Sequence, residues 1–122
     1  MATGVQAKQI RGGKSLQTIQ TEVQSTNRVA LSVDCVIFGF DESKLKVLLI
    51  KSDLKKFQGK WSLLGDLVNP DEDLDDAAYR VLKQRTGLSD VYLEQVHTFG
   101  KVNRHPAGRV VTVTYYSLIN VQ

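Results

Sequence analysis

Trp61 to Leu88 reads WSLLGDLVNPDEDLDDAAYRVLKQRTGL, and its order is strand, loop, helix, turn. Leu63, Leu64, Leu67 and Val68 form an apolar strand, and Asn69-Pro70-Asp71 supplies turn chemistry, because Asn and Asp bond their own backbone. Asp73 stands at the N-cap with Asp76 three residues on, a conservative capping box. Leu74, Ala78, Val81, Leu82 and Arg85 then recur on one face of an α-helix. Asp75 and Asp76 in the first turn and Lys83 and Arg85 in the last suit the helix dipole. Gly87 is a C′ glycine, free to take positive φ, with Leu88 able to fold back on the last turn.

Outward from this stretch, β-rich runs dominate. Val29–Phe40 is apolar enough for a central strand, Asp41-Glu42-Ser43 is a turn, and Leu45–Lys51 returns as the second strand of a hairpin. Asp53–Lys60 is a polar loop whose Lys55, Lys56 and Lys60 are within reach of an anion, although a solvated loop is the simpler reading. After the helix, Val91–Gly100 is a third β segment, Asn103–Gly108 a loop with strong breakers, and Arg109–Val121 a β-branched and aromatic strand. The order predicts an α+β or mixed α/β/α sandwich with one main helix.

The chain has 122 residues, 42% hydrophobic and 24% charged, which suits one globular domain and excludes a disordered chain. No apolar run reaches the roughly 18 residues that span a bilayer, and the N-terminus lacks the apolar core of a secretory signal. The lone Cys35 lies in Val33-Asp34-Cys35-Val36-Ile37-Phe38, where a small buried residue is expected rather than a nucleophile. A reducing cytoplasm fits. The net charge of +3 sits in residues 1–28, which hold four basic side chains and one acidic; residues 29–122 hold twelve of each. The folded part is therefore not a basic nucleic-acid module. Residues 1–28 read as a polar basic arm, solvated or forming a short docking helix through Leu16, Ile19 and Val23, and residues 29–122 as the domain.

The central stretch resembles the Nudix box: Gly, five residues, Glu, seven residues, Arg-Glu-apolar, one residue, Glu-Glu, one residue, Gly-apolar. Setting Gly87-Leu88 on the closing pair places Glu72 on the first Glu, Arg80 on the Arg and Leu82 on the apolar position. The family's lead-in, Trp-x-Leu-Pro-Gly-Gly, appears as Trp61-Ser62-Leu63-Leu64-Gly65-Asp66, so Asp66 replaces the box's own Gly. Val81, Gln84 and Arg85 occupy the three helix glutamates. In the family those carboxylates hold divalent cations against the substrate diphosphate. Mg²⁺ needs hard, charged oxygen ligands, whereas here the three positions change from −3 to +1. The resemblance thus implies a silent catalytic site and no metal cofactor. The alternative is a hydrolase of nucleoside diphosphate derivatives such as ADP-ribose, using Mg²⁺ or Mn²⁺ held by other acids, such as Glu72, Asp71 or Asp66.

A second piece, Phe99-Gly100 with Arg104-His105-Pro106-Ala107-Gly108-Arg109-Val110-Val111-Thr112-Val113, resembles a Nudix branch containing ADP-ribose hydrolases and Nudix-related transcriptional regulators. His105 departs from that branch, which shows an acid there. The resemblance covers about residues 29–121. It implies a non-catalytic domain sensing an ADP-ribose-like or sugar metabolite, with Arg85, Arg104 and Arg109 as ligand-binding residues. A guanidinium holds phosphate or sugar oxygens with paired donors; each arginine equally serves to bridge a surface loop. His97 and His105 lack a third partner and suggest no metal site. In such regulators a winged-helix domain contacts DNA, so DNA binding is expected only through a C-terminal domain absent here. A full Nudix domain also continues past the last strand. We therefore expect an incomplete domain with an uncovered apolar face, part of which a homodimer would cover.

Overall fold

The computed structural model describes residues 13, 15–24, 28–52 and 58–120. Lys55 and Lys56 lie outside the described residues. The element order is α1 (Leu16–Gln24), β1 (Ala30–Asp41), β2 (Lys44–Val47), β3 (Ile50–Lys51), β4 (Trp61–Ser62), β5 (Leu64–Leu67), α2 (Leu74–Thr86), β6 (Glu94–Phe99) and β7 (Val110–Asn120). β1 is the organising strand. One edge pairs in parallel with β7 from Ala30↔Val110 to Phe40↔Asn120, and β6 adds antiparallel to β7. The other edge is shared by two antiparallel partners: β2 along Phe38–Asp41 and β5 along Ser32–Cys35. The result is the expected mixed sheet with one main helix.

That shared edge corrects one expectation. Leu45–Lys51 is not one strand. Extending the Phe38↔Val47 register would set Ile50 opposite Cys35, the place Leu64 holds. The chain therefore leaves β1 after Leu48, whose N–H still bonds Ile37 O at 2.9 Å, and Ile50-Lys51 pairs with Ser62-Trp61 as a separate ribbon. The third β segment also starts later than expected, at Glu94. Leu93 donates its N–H to the Tyr79 hydroxyl at 3.0 Å rather than to the ladder.

Alternation along β1 and β7 sorts their side chains onto two faces. Val33, Cys35, Ile37, Val113 and Tyr115 face α2 and form one cluster with Leu64, Ala77, Ala78, Val81 and Leu82. Cys35 is fully buried there, donating to Ala78 O at 3.4 Å, and burial pushes its thiol up to about 12. The Tyr115 hydroxyl crosses the layer to donate to Asp75 at 2.6 Å; burial first, and then this carboxylate, raises its pKa. On the opposite face Phe40, Tyr116 and Leu118 stay exposed.

Helix α2 begins and ends where the sequence indicates. Asp73 has extended backbone, and its carbonyl accepts from Ala77 N–H at 2.9 Å, but no side-chain cap bond forms, so the capping box is absent. Gly87 closes the helix at φ 79°, its N–H on Lys83 O at 2.8 Å. Helix α1 forms with Leu16, Ile19 and Val23 all exposed. No helix among the described residues is long and apolar enough to cross a membrane.

Candidate functional site

Arg80 is the hub of the loop that precedes α2. Its Nε donates to Glu72 Oε2 at 2.7 Å and its Nη2 to Glu72 Oε1 at 2.8 Å, the bidentate fork that carboxylates favour. Nη2 also reaches Leu67 O at 2.8 Å, and Nη1 reaches Gln84 Oε1 at 3.1 Å and Asp66 Oδ2 at 3.8 Å. Asn69 N–H closes the loop on Glu72 Oε1 at 3.0 Å. The Arg80 hydrogen bond, followed by that of Asn69, pulls the Glu72 carboxyl down to about 2. Both carboxylate oxygens of Glu72 are thus committed to holding β5 and the loop against the helix.

The three box positions separate in space. Val81 is fully buried in the core, Gln84 is exposed and bonded to Arg80, and Arg85 is half-buried and lines the cleft described below. A divalent cation does not fit this donor set: one position is a buried hydrocarbon, one a neutral amide and one a cation, while Glu72 is tied to Arg80. Of the remaining acids, Asp66 accepts Leu67 N–H at 2.7 Å and Asp71 is exposed. Among the described residues no three His, Cys, Asp or Glu side chains are grouped to hold a metal.

A cleft of about 800 Å³ lies on the sheet face opposite the α2 core, at the N-terminal ends of β1 and β7. Arg85, Arg104 and Arg109 all line it, although they come from three different segments. Arg85 arrives from the helix layer past β5, its Nη2 3.4 Å from Gly65 O. Gly65 suits this packing, since a Cβ there would push the Asp34 carboxylate aside and lie 3.2 Å from Val33 O. Arg104 donates through Nη2 to Val110 O at 3.2 Å and to Thr112 Oγ1, and Arg109 donates through Nη1 to Gly100 O at 2.7 Å. Each arginine therefore ties down its own segment and also presents positive charge to the cleft. The turn that carries Arg104 and Arg109 closes with Gly108 N–H on His105 O at 3.3 Å, and Gly108 sits at φ 132°, where a side chain would be strained. His105 Nδ1 accepts from Ala107 N–H inside this turn, whereas His97 packs edge-on against Phe99, 4.6 Å between ring centres.

The sequence reading missed the cleft floor. Ser32, Asp34 and Thr112 line it, with Ser32 and Thr112 hydroxyls 2.7 Å apart. Partial burial raises the Asp34 pKa, and the charges of Arg104 and His105 pull the other way. A readable signal existed: Ser32 and Asp34 interrupt an apolar strand at a spacing of two, one face of β1. On the far wall stand Ile50, Trp61 and Leu63, and Lys60 lies at the same wall.

The family model of the NUDIX domain matches residues 28–122. The ADPR responsive transcriptional repressor NtrR of Acinetobacter baylyi is 39% identical over 92 residues, covering 74% of this chain and 37% of its own length. The ADP-ribose pyrophosphatase of Methanocaldococcus jannaschii is 30% identical over 88 residues, 72% of this chain and 52% of its own. The chain thus spans between 37% and 52% of the length of these relatives. Among solved structures, the Nudix domain of Shewanella oneidensis NrtR complexed with ADP ribose superposes with a TM-score of 0.76 at 30% identity, over 89% of this chain and 73% of that one. NrtR from the same organism complexed with a 27mer DNA gives 0.65 at 37% identity, over 72% and 41%. The parallel β1–β7 pair, the helix with its Glu72–Arg80 clamp and the match over residues 28–122 agree: the chain belongs to the Nudix family.

Proposed function

We propose that this domain binds an ADP-ribose-like nucleotide without hydrolysing it, as the ligand-sensing part of a transcriptional regulator. The observation that carries the reading is the exchange of the helix carboxylates for buried Val81, engaged Gln84 and cleft-lining Arg85. A hydrolase uses carboxylates and metal to neutralise a diphosphate. Here Arg85, Arg104 and Arg109 supply that charge directly, which favours holding the anion over cleaving it. The likeness to NtrR and to NrtR complexed with ADP ribose supports the choice of ligand. DNA contact is assigned to another domain of the regulator, because residues 29–122 balance twelve basic against twelve acidic side chains.

Calorimetric titration of ADP-ribose in EDTA, beside a hydrolysis assay with Mg²⁺ or Mn²⁺, tests the reading. Binding without metal and turnover at background are expected. Hydrogen bonds to charged groups contribute roughly 1.5–3 kcal/mol, so Arg85→Ala and Arg109→Ala should each weaken binding about tenfold or more. Metal-dependent turnover above background in the wild-type chain would establish the hydrolase instead.

A further inference from the structure

The cleft is chemically divided, and the arginines account for only one side of it. Its far wall carries Lys60 but is otherwise mostly apolar, and it is wet: Trp61, Leu63 and Leu67 are 65%, 37% and 52% exposed. A folded chain does not usually leave its only tryptophan in water beside two exposed leucines unless that patch contacts something. The backbone that carries the ring is also held by strand pairing. Trp61 pairs with Lys51 on the β3–β4 ribbon, which Ser52 N–H to Lys60 O extends at 2.7 Å. Lys51 Nζ lies over the indole, 5.4 Å from the ring centre, within cation–π range. That covers one face, and the exposure of the residue leaves room for a second planar group. This ribbon exists only because β3 was turned off the edge of β1 by β5.

We infer that Trp61 is the stacking platform for the base of the bound nucleotide, so that the cleft selects a nucleotide over a bare sugar phosphate. The inference rests on the proposed function and narrows its ligand class. With Lys51 behind it, the ring takes a flat, uncharged heterocycle on its open side. The charged and hydroxylated part of the same molecule then faces Arg85, Arg104 and the Ser32–Asp34 floor. A sugar phosphate without a base has charge for the arginines and nothing for the apolar wall.

The test uses the whole chain, whose single tryptophan makes its fluorescence a direct reporter. ADP-ribose and ribose 5-phosphate are titrated into wild type, Trp61→Ala and Trp61→Phe, with affinities read by calorimetry. Trp61 is exposed, so both variants should fold, and their thermal melts verify it. ADP-ribose should quench wild-type emission, and ribose 5-phosphate should bind more weakly without quenching. Losing a base–aromatic stack should weaken ADP-ribose at least about fivefold in Trp61→Ala. Trp61→Phe should recover most of that loss, and ribose 5-phosphate should bind alike in all three proteins. If wild type binds ADP-ribose and Trp61→Ala binds it equally well, the platform is overturned and the proposed function stands. If wild type binds no ADP-ribose at all, both fall.

Discussion

Glu72 accepts three hydrogen bonds, two from Arg80 and one from Asn69 N–H, and this explains why the residue survives in a box that has lost its other acids. The pair is a mechanical part, since it fastens β5 and the turn to α2. Its carboxyl sits at about 2 when folded against an ordinary value of 4.5. A depressed folded pKa means that the unfolded chain binds the proton more tightly. The contribution is therefore fully present above about pH 4.5 and is lost as pH falls toward 2. Urea midpoints measured between pH 7 and pH 2 should show this fall in wild type. Glu72→Gln should be less stable at neutral pH and should lose less over the acid range; an identical acid slope in the two proteins would mean that the carboxylate is not held as described.

At the scale of elements, α2 divides its surface between two jobs. Val81 and Leu82 are fully buried under the sheet, while Gln84 is exposed. Truncating a buried leucine typically costs about 2–5 kcal/mol, because a cavity remains. Leu82→Ala is expected in that range. Gln84→Ala loses one exposed bond to Arg80 and should cost less than about 1 kcal/mol. Equal losses in a denaturant titration would mean that the helix is docked on a different face. The burial of Val81 also bears on any attempt to rebuild a metal site: a glutamate there would enter the hydrocarbon core before it reached a cation.

At the scale of the whole molecule, charge and stability belong to different parts of the chain. The +3 excess lies in residues 1–28, and α1 presents Leu16, Ile19 and Val23 to solvent. Exposed segments contribute little to folding stability. Removing residues 1–24 should therefore shift the unfolding free energy by no more than about 0.5 kcal/mol, with ADP-ribose affinity unchanged; a large loss in the same urea titration would show that the arm packs on the domain.

Helix α2 could be read from residues 73–88 alone because its signals are local: apolar spacing, acidic first turn, basic last turn and a C′ glycine all act within a few residues. The central strand and the β7 run were legible for the same reason. The loss of the helix carboxylates was legible too, since it needs only the identities of residues 81, 84 and 85. What the sequence could not decide depends on competition between distant segments. Leu45–Lys51 has the composition of one strand, and it breaks only because Leu64 occupies the partner position that Ile50 would take on Cys35. The cleft is of the same kind. Arg85, Arg104, Asp34 and Trp61 belong to different stretches of chain, and they meet because β1 pairs with β5 on one edge and β7 on the other. Local propensity acts over a few residues, whereas a strand edge holds one partner at each position, and only the folded chain decides which segment takes it.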